Sequence, residues 1–223
     1  MSVAIGLDDF VPWLAAQSAP EKDVQFFQRT PWTRKIVENP LFRAVPCPTR
    51  LITPGTSHNA FMAKTINKPS CVDHWLMLIR KEYSAPKEVT KGTIAQSRFP
   101  PNAETYNTDD SEFIMLLDVG EDLDGFAGRV QGGVLCAILD EALSICVEYH
   151  RQASSSSRAP LYTVQLNTTF RDGVNTPGLI AVKSWLVAKE GRKWLIRGQI
   201  CDAEGHVLTQ AEGIWVAAAE NKL

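Results

Sequence analysis

No Cys-x-x-Cys pair occurs in this sequence, and its five cysteines (Cys47, Cys71, Cys136, Cys146, Cys201) are odd in number and widely spaced. Such spacing suggests neither a disulfide framework nor a zinc site, and it fits a reducing compartment. An excess of one charge is missing too. Lys plus Arg number 23 against 25 Asp plus Glu, a formal net charge of −2, which gives no electrostatic reason to expect a nucleic-acid or membrane partner. No apolar run approaches membrane-spanning length, and MSVAIGLDDFVPWLAA at the start has neither a basic leader nor an Arg/Ser-rich transit pattern. The reading is cytoplasmic. The final Asn-Lys-Leu resembles the peroxisomal Ser-Lys-Leu address but differs at its first position, leaving the peroxisome as the alternative. Also absent are G-x-S-x-G, G-x-G-x-x-G and the phosphate-loop motif, which argues against a serine α/β-hydrolase and against a nucleotide cofactor. His58, His74, His150 and His206 show no metal-ligand spacing, so no metal is expected.

What is present is ordinary for a globular chain, 44% hydrophobic and 22% charged over 223 residues. Its texture changes along the length. Residues 1–59 are short apolar patches broken by proline, read as an arm packing on the core, with short helices over 8–17 and 20–29. Residues 60–223 are read as the main domain. In it AFMAKTI (60–66) alternates like a strand, and CVDHWLMLIRKEY (71–83) stays open between helix and strand because its apolar run is nearly continuous. A polar loop spans 84–112, with FPPNAETYNTDDS as its clearest part.

Beyond the loop the pattern sharpens. EFIMLLDVG (112–120) reads as a strand, EDLDGFAGR as a glycine-bearing loop, and GRVQGGVLCAILDEALSICVEYH (128–150) as the lead into a helix that is apolar almost all round and ends by about His150. The serine run 154–157 reads as a flexible loop or, alternatively, as lining for a ligand channel. Four β-like runs follow, over 161–172, 178–190, 193–203 and 207–219, the last three joined by the short turns EGRK and AEGH. A strand, a buried helix and then consecutive antiparallel strands specify an α+β design with the helix wrapped by a curved sheet.

The glycine pair ahead of that helix and the acid within it carry chemistry. A helix that starts at Gly132-Gly133 presents unpaired backbone N–H groups and a partial positive charge, suited to a carbonyl oxygen that becomes an oxyanion. Asp140 lies seven residues past Gly133, roughly 10 Å along the axis, too far for both to meet one carbonyl within one chain. Two such helices, antiparallel about a two-fold axis, resolve the distance, so the active site is expected at the interface of a homodimer or a dimer of dimers.

QGGVLCAILDE, VQLNTTFRDGV and EGRKWLIRGQICDAEGHVLTQAEGIWV together resemble the hotdog-fold acyl-CoA thioesterases of the PaaI type, especially their longer fungal relatives, over about 112–219. The resemblance implies a hotdog fold, a thioester hydrolase acting on an acyl-CoA or carrier-bound acyl chain, no cofactor beyond the coenzyme A of the substrate, and Asp140 at the acid position. Gln131 stands where the family has histidine: it keeps a hydrogen-bonding side chain but does not titrate near neutrality. Gly125 stands where many relatives carry Asn or Gln, so Asp124 or a water would have to polarise the carbonyl.

Each assignment has a plainer rival. Asp140 could bond a neighbouring strand or loop; Glu141, 100° round the helix, is a second candidate acid or a solvent or inter-strand partner. Ser144, one turn beyond Asp140, could hold the acid or the attacking water, or bond its own helix backbone. Arg192 and Lys193 could meet the phosphates of coenzyme A or be a solvated hairpin tip. Two other functions share the features: a hotdog dehydratase, isomerase or polyketide off-loading enzyme, and a non-catalytic acyl-binding protein.

Overall fold

The structure, a computed structural model, describes residues 10–52, 55–82, 84–96, 111–156 and 159–219. Helices α1 (Phe10–Ala16), α2 (Glu21–Phe27) and α3 (Pro31–Val37) come first, followed by strands β1 (Phe42–Pro46) and β2 (Trp75–Arg80) and the four-residue helix α4 (Thr93–Gln96). Then come β3 (Phe113–Val119), the small hairpin β4 (Asp124–Phe126) and β5 (Arg129–Val130), the long helix α5 (Gly132–Ser154), and β6 (Leu161–Phe170), β7 (Gly178–Glu190), β8 (Lys193–Cys201) and β9 (Val207–Ala217). Seven strands form one antiparallel sheet in the order β1-β2-β3-β7-β8-β9-β6. The sheet wraps α5, which is the hotdog arrangement of the α+β class.

Close packing seats α5 on the sheet. A Cβ on Gly198 of β8 would lie 2.5 Å from Leu143 Cδ1 and 2.9 Å from the Lys183 carbonyl, so only glycine lets the helix come this near. Leu139, Ala142, Leu143 and Cys146 are fully buried along that contact. On its other side α5 is covered by α1, through the buried Phe10 and Leu14, and by the Pro48–Arg50 turn. A helix apolar nearly all round therefore finds two covers, as its composition requires.

The continuous apolar run of 71–83 resolves as a strand because both its faces are covered. Met77 and Ile79 turn toward the α5 core with Met115 and Leu117, whereas Leu76 and Leu78 pack with Ile114 and Leu116 on Phe27 of α2 and against Trp32 and Ile36 of α3. A strand buried on two sides has no polar face to alternate with.

Three expectations are corrected. AFMAKTI is a π-helical turn over Phe61–Thr65, not a strand: Met62, Ala63 and Ile66 are buried while Phe61 is exposed, a helical grouping that imitates alternation over so short a run. Helix α5 continues one turn past His150 to Ser154. Glu148 is held there by Arg151 (2.8 Å) and Gln152 (2.5 Å), and Gln152 Oε1 accepts the Phe10 N–H at 2.9 Å, so tertiary contacts extend the helix. Residues 42–46, within the expected arm, form β1 and pair along the whole of that strand with β2. The expected strands over 112–120, 161–172, 178–190, 193–203 and 207–219 are present, with left-handed Gly191 and Gly205 closing the two short turns. Of the expected loop, residues 97–110 lie outside the described residues, as do Ser157 and Arg158.

Candidate active site

The site is built around the first three turns of α5. Gln131 is the N-cap: its Oε1 accepts the Val134 N–H at 3.0 Å while its own N–H donates to Leu123 O at 2.8 Å. The position the family gives to histidine therefore serves here to start the helix. A Cβ on Gly133 would fall 2.8 Å from that same Oε1, and one on Gly132 would fall 3.3 Å from the Phe170 ring. Both glycines keep the helix start open, and Gly133 is exposed.

A stripe of α5 residues spaced four apart runs along β6. Gly132 faces Phe170, the Cys136 thiol donates to Thr168 Oγ1 at 3.6 Å, and Asp140 Oδ1 accepts the Thr163 hydroxyl at 3.0 Å. A bulge between Thr163 and Gln165 shifts the strand's alternation, which is why 163, 168 and 170 all turn toward the helix. Asp140 is half-buried; burial pushes its carboxyl above the ordinary aspartate value, and the Thr163 hydroxyl opposes the shift.

Glu141 looks elsewhere. It lines a cavity of about 230 Å³ between α5 and Pro48, Thr49, Leu51, His58 and Asn59, where burial pushes its carboxyl up to about 7 against the opposing hydrogen bond from the Thr49 hydroxyl. Beneath it Cys47 is fully enclosed, and burial with the nearby Glu141 charge pushes its thiol up to about 12. Ser144 borders the same cavity and accepts the Trp215 indole N–H at 3.1 Å. This serine bonds across to β9 rather than to its own helix.

The remaining expected residues are engaged in the fold. Asp124 accepts the Thr176 hydroxyl with one carboxylate oxygen and the Gly128 N–H, at 2.8 Å, with the other, so it pins the β4–β5 turn. Gly125 is exposed, and a Cβ there would meet Gln131 at 3.0 Å. Arg192 donates to Ala217 O at 2.6 Å and lines a hollow of about 380 Å³ beside Ser154, the last residue of α5. That end lies roughly 20 Å along the axis from Asp140. Lys193 is exposed and faces a different hollow with Glu212, so the two cations are not brought together.

A further polar group lies under the helix's second half. His150 Nε2 and Glu112 Oε2 are 2.8 Å apart, the Cys146 thiol reaches the same oxygen at 3.7 Å, and Leu186 N donates to it at 2.7 Å. Glu112, Cys146 and His150 together have the donor types that could hold a metal ion, each with an atom within 4.8 Å of the others. Sequence reasoning missed this trio, as it missed Thr49, Thr163 and Trp215. Cys146 and His150 are one turn apart, a usable signal, but nothing in the chain ties Glu112 to them before folding.

No family model matches the chain, and no curated protein matches it. Among solved structures it is similar to thioesterase-superfamily proteins. One thioesterase-superfamily protein is 25% identical, the likeness covering 48% of this chain and 49% of that one with a TM-score of 0.42; this chain thus spans about half of that relative's length. A hypothetical thioesterase with coenzyme A from Streptococcus pneumoniae TIGR4 is 13% identical over 50% of this chain and 81% of its own, with a TM-score of 0.42. The PaaI protein of the E. coli phenylacetic acid degradation operon is 8% identical over 48% and 72%, with a TM-score of 0.43. At these scores the likeness carries no argument about chemistry, which rests on the residues themselves. No helix among the described residues is long and apolar enough to cross a membrane.

Proposed function

We propose that the protein is a thioester hydrolase acting on an acyl-CoA or carrier-bound acyl chain, working as a homodimer joined along β6. The observation that carries this reading is the Gly132–Cys136–Asp140 stripe lying along an edge strand. β6 ends the sheet and is ten residues long, and its Tyr162, Val164 and Phe170 are each more than half exposed. A long edge with exposed apolar side chains is a surface that another strand completes. Antiparallel doubling of β6 about Leu166–Asn167 sets Thr163 of one copy opposite Phe170 of the second. Asp140, bonded to Thr163, then confronts the helix start that packs on Phe170 in the other copy.

The chemistry follows from those groups. Asp140, ionised, takes a proton from water; the hydroxide adds to the thioester carbonyl; the oxyanion is held by the N–H groups at the second copy's helix start; the C–S bond breaks and the thiolate leaves, taking up a proton. Attack by Asp140 itself, with an anhydride then cleaved by water, uses the same atoms in the same places. Gln131 takes no part in proton transfer, since its Oε1 is the helix cap.

Incubating the protein with a panel of acyl-CoAs and a thiol-detecting reagent tests the reading. Thiol release that vanishes in Asp140→Asn is expected, from a particle of twice the chain mass by light scattering. Equal turnover by the wild type and the variant, or an active monomer, would overturn it. Product mass separates hydrolysis, which adds water across the thioester, from dehydration or isomerisation.

A further inference from the structure

The two adjacent acids of α5 have separate surroundings. Asp140 belongs to the β6 stripe; Glu141, 100° round the axis, belongs to the cavity of about 230 Å³ bordered by Pro48, Thr49, Leu51, His58 and Asn59. At a water's share of roughly 30 Å³, that space takes about eight non-hydrogen atoms. Phe10, Pro48, Leu51 and Ile145 supply apolar wall, while Thr49, Glu141, Ser144 and Glu148 are the polar groups set within it and His58 and Asn59 line it as solvent-exposed residues.

Those polar groups differ in what they have left to give. Glu148 is held by Arg151 and Gln152. The Thr49 hydroxyl is taken up by Glu141 and by Cys47 Sγ at 3.3 Å. Ser144 accepts the Trp215 indole N–H, which leaves its own hydroxyl proton to donate. Glu141, with its carboxyl raised to about 7, is present in both protonation states near neutrality and so both donates and accepts. A plain alkyl chain would displace water from these groups and return nothing to them.

We propose that this cavity is the acyl-chain pocket and that it selects a short aliphatic acyl group carrying its own oxygen, a hydroxyl or carbonyl, bonded by Glu141 and Ser144. The inference rests on the thioesterase reading for the thioester and on the cavity alone for the oxygenated chain. Glu141 and Ser144 are then specificity residues, distinct from the acid at the reacting carbon. Pro48, Leu51 and Asn59 become the wall that sets chain length.

Calorimetric titration of the full-length Asp140→Asn protein with 3-hydroxyhexanoyl-CoA, 3-oxohexanoyl-CoA and hexanoyl-CoA reads the preference without turnover. The oxygenated chains are expected to bind about 10- to 100-fold more tightly than hexanoyl-CoA, because the latter leaves buried polar groups unpaired. Adding Glu141→Leu or Ser144→Ala is expected to erase that margin, and Glu141→Gln to keep much of it; circular dichroism verifies that each variant is folded. Equal affinity for all three, no binding of any, or a margin that survives in both Glu141→Leu and Ser144→Ala would overturn the proposal. Wild-type thiol release assayed in parallel separates the two readings. A binding preference without hydrolysis defeats the thioesterase and leaves the pocket standing; hydrolysis with no preference defeats only the pocket.

Discussion

Helix α5 has two faces whose surroundings are built from different parts of the chain. The face of Gly132, Cys136 and Asp140 meets β6, the strand that follows the helix directly, through Phe170, Thr168 and Thr163. The face of Glu141, Ser144 and Ile145 meets Pro48, Thr49, Leu51, His58 and Asn59, more than eighty residues upstream, across a cavity. The first face is packed and ends at an open sheet edge; the second is hollow and ends under a cover. A packed stripe at an edge suits chemistry completed by a second copy. A roofed cavity with a raised carboxyl suits holding part of a substrate.

Four measurements break or sharpen that contrast. The largest effect is expected from Asp140→Asn, which should lower acyl-CoA hydrolysis about 10²- to 10⁴-fold while leaving thermal unfolding nearly unchanged. In the wild type the acid limb of the pH–rate profile should lie above the ordinary aspartate range, because burial raises the Asp140 carboxyl and the ionised form is the active one. Replacing Tyr162 and Val164 together by lysine attacks the same face from outside. Placing a charge at each of these exposed apolar positions removes apolar area that the second copy would cover and should weaken the dimer at least tenfold in sedimentation, with activity falling in step as the monomer accumulates.

The third measurement concerns the hollow face. Glu141 has an ordinary value of 4.5 and is held at about 7 in the folded chain, so between these values the folded state keeps a proton that the unfolded state has released. Stability should therefore decline as pH rises from about 4.5 to about 7, by roughly 1–3 kcal/mol. Urea titrations of Glu141→Gln should show that slope flattened, with the variant gaining most above pH 7. The smallest effect is expected at the helix start: Gln131→Ala removes the side-chain cap on Val134 N–H and should cost about 1 kcal/mol in the same titrations. Loss of activity far beyond that loss of stability would give Gln131 a role at the reacting carbonyl.

Legibility in the sequence follows the same divide. The strands on either side of α5 were readable to within a few residues, because the turns EGRK and AEGH interrupt long apolar runs and each hairpin is a local affair. The glycine pair, the acid after it and the helix they start were readable for the same reason. Residues 60–66 misled because five residues of a π-helical turn hold too few side chains to separate one period from another. β1 was not foreseen, since FRAVP has no alternation of its own and becomes a strand by pairing with β2. Glu141 was placed second to Asp140 on spacing alone; what distinguishes its carboxyl is Thr49 and the neighbouring Pro48 and Leu51, none of which adjoins it in the chain.

What this sequence determined unaided is the order of the long elements from residue 112 onward and the glycine-opened start of the buried helix. Apolar periodicity, turn residues and the Gly132-Gly133 pair act over a few neighbours, so they are written where they work. Which of two consecutive acids looks toward the edge strand and which into a cavity was decided only by tertiary structure. A helix rotates 100° per residue, and the desolvation and hydrogen bonds that set each carboxyl apart come from β6 on one side and from Thr49 and its neighbours Pro48 and Leu51 on the other.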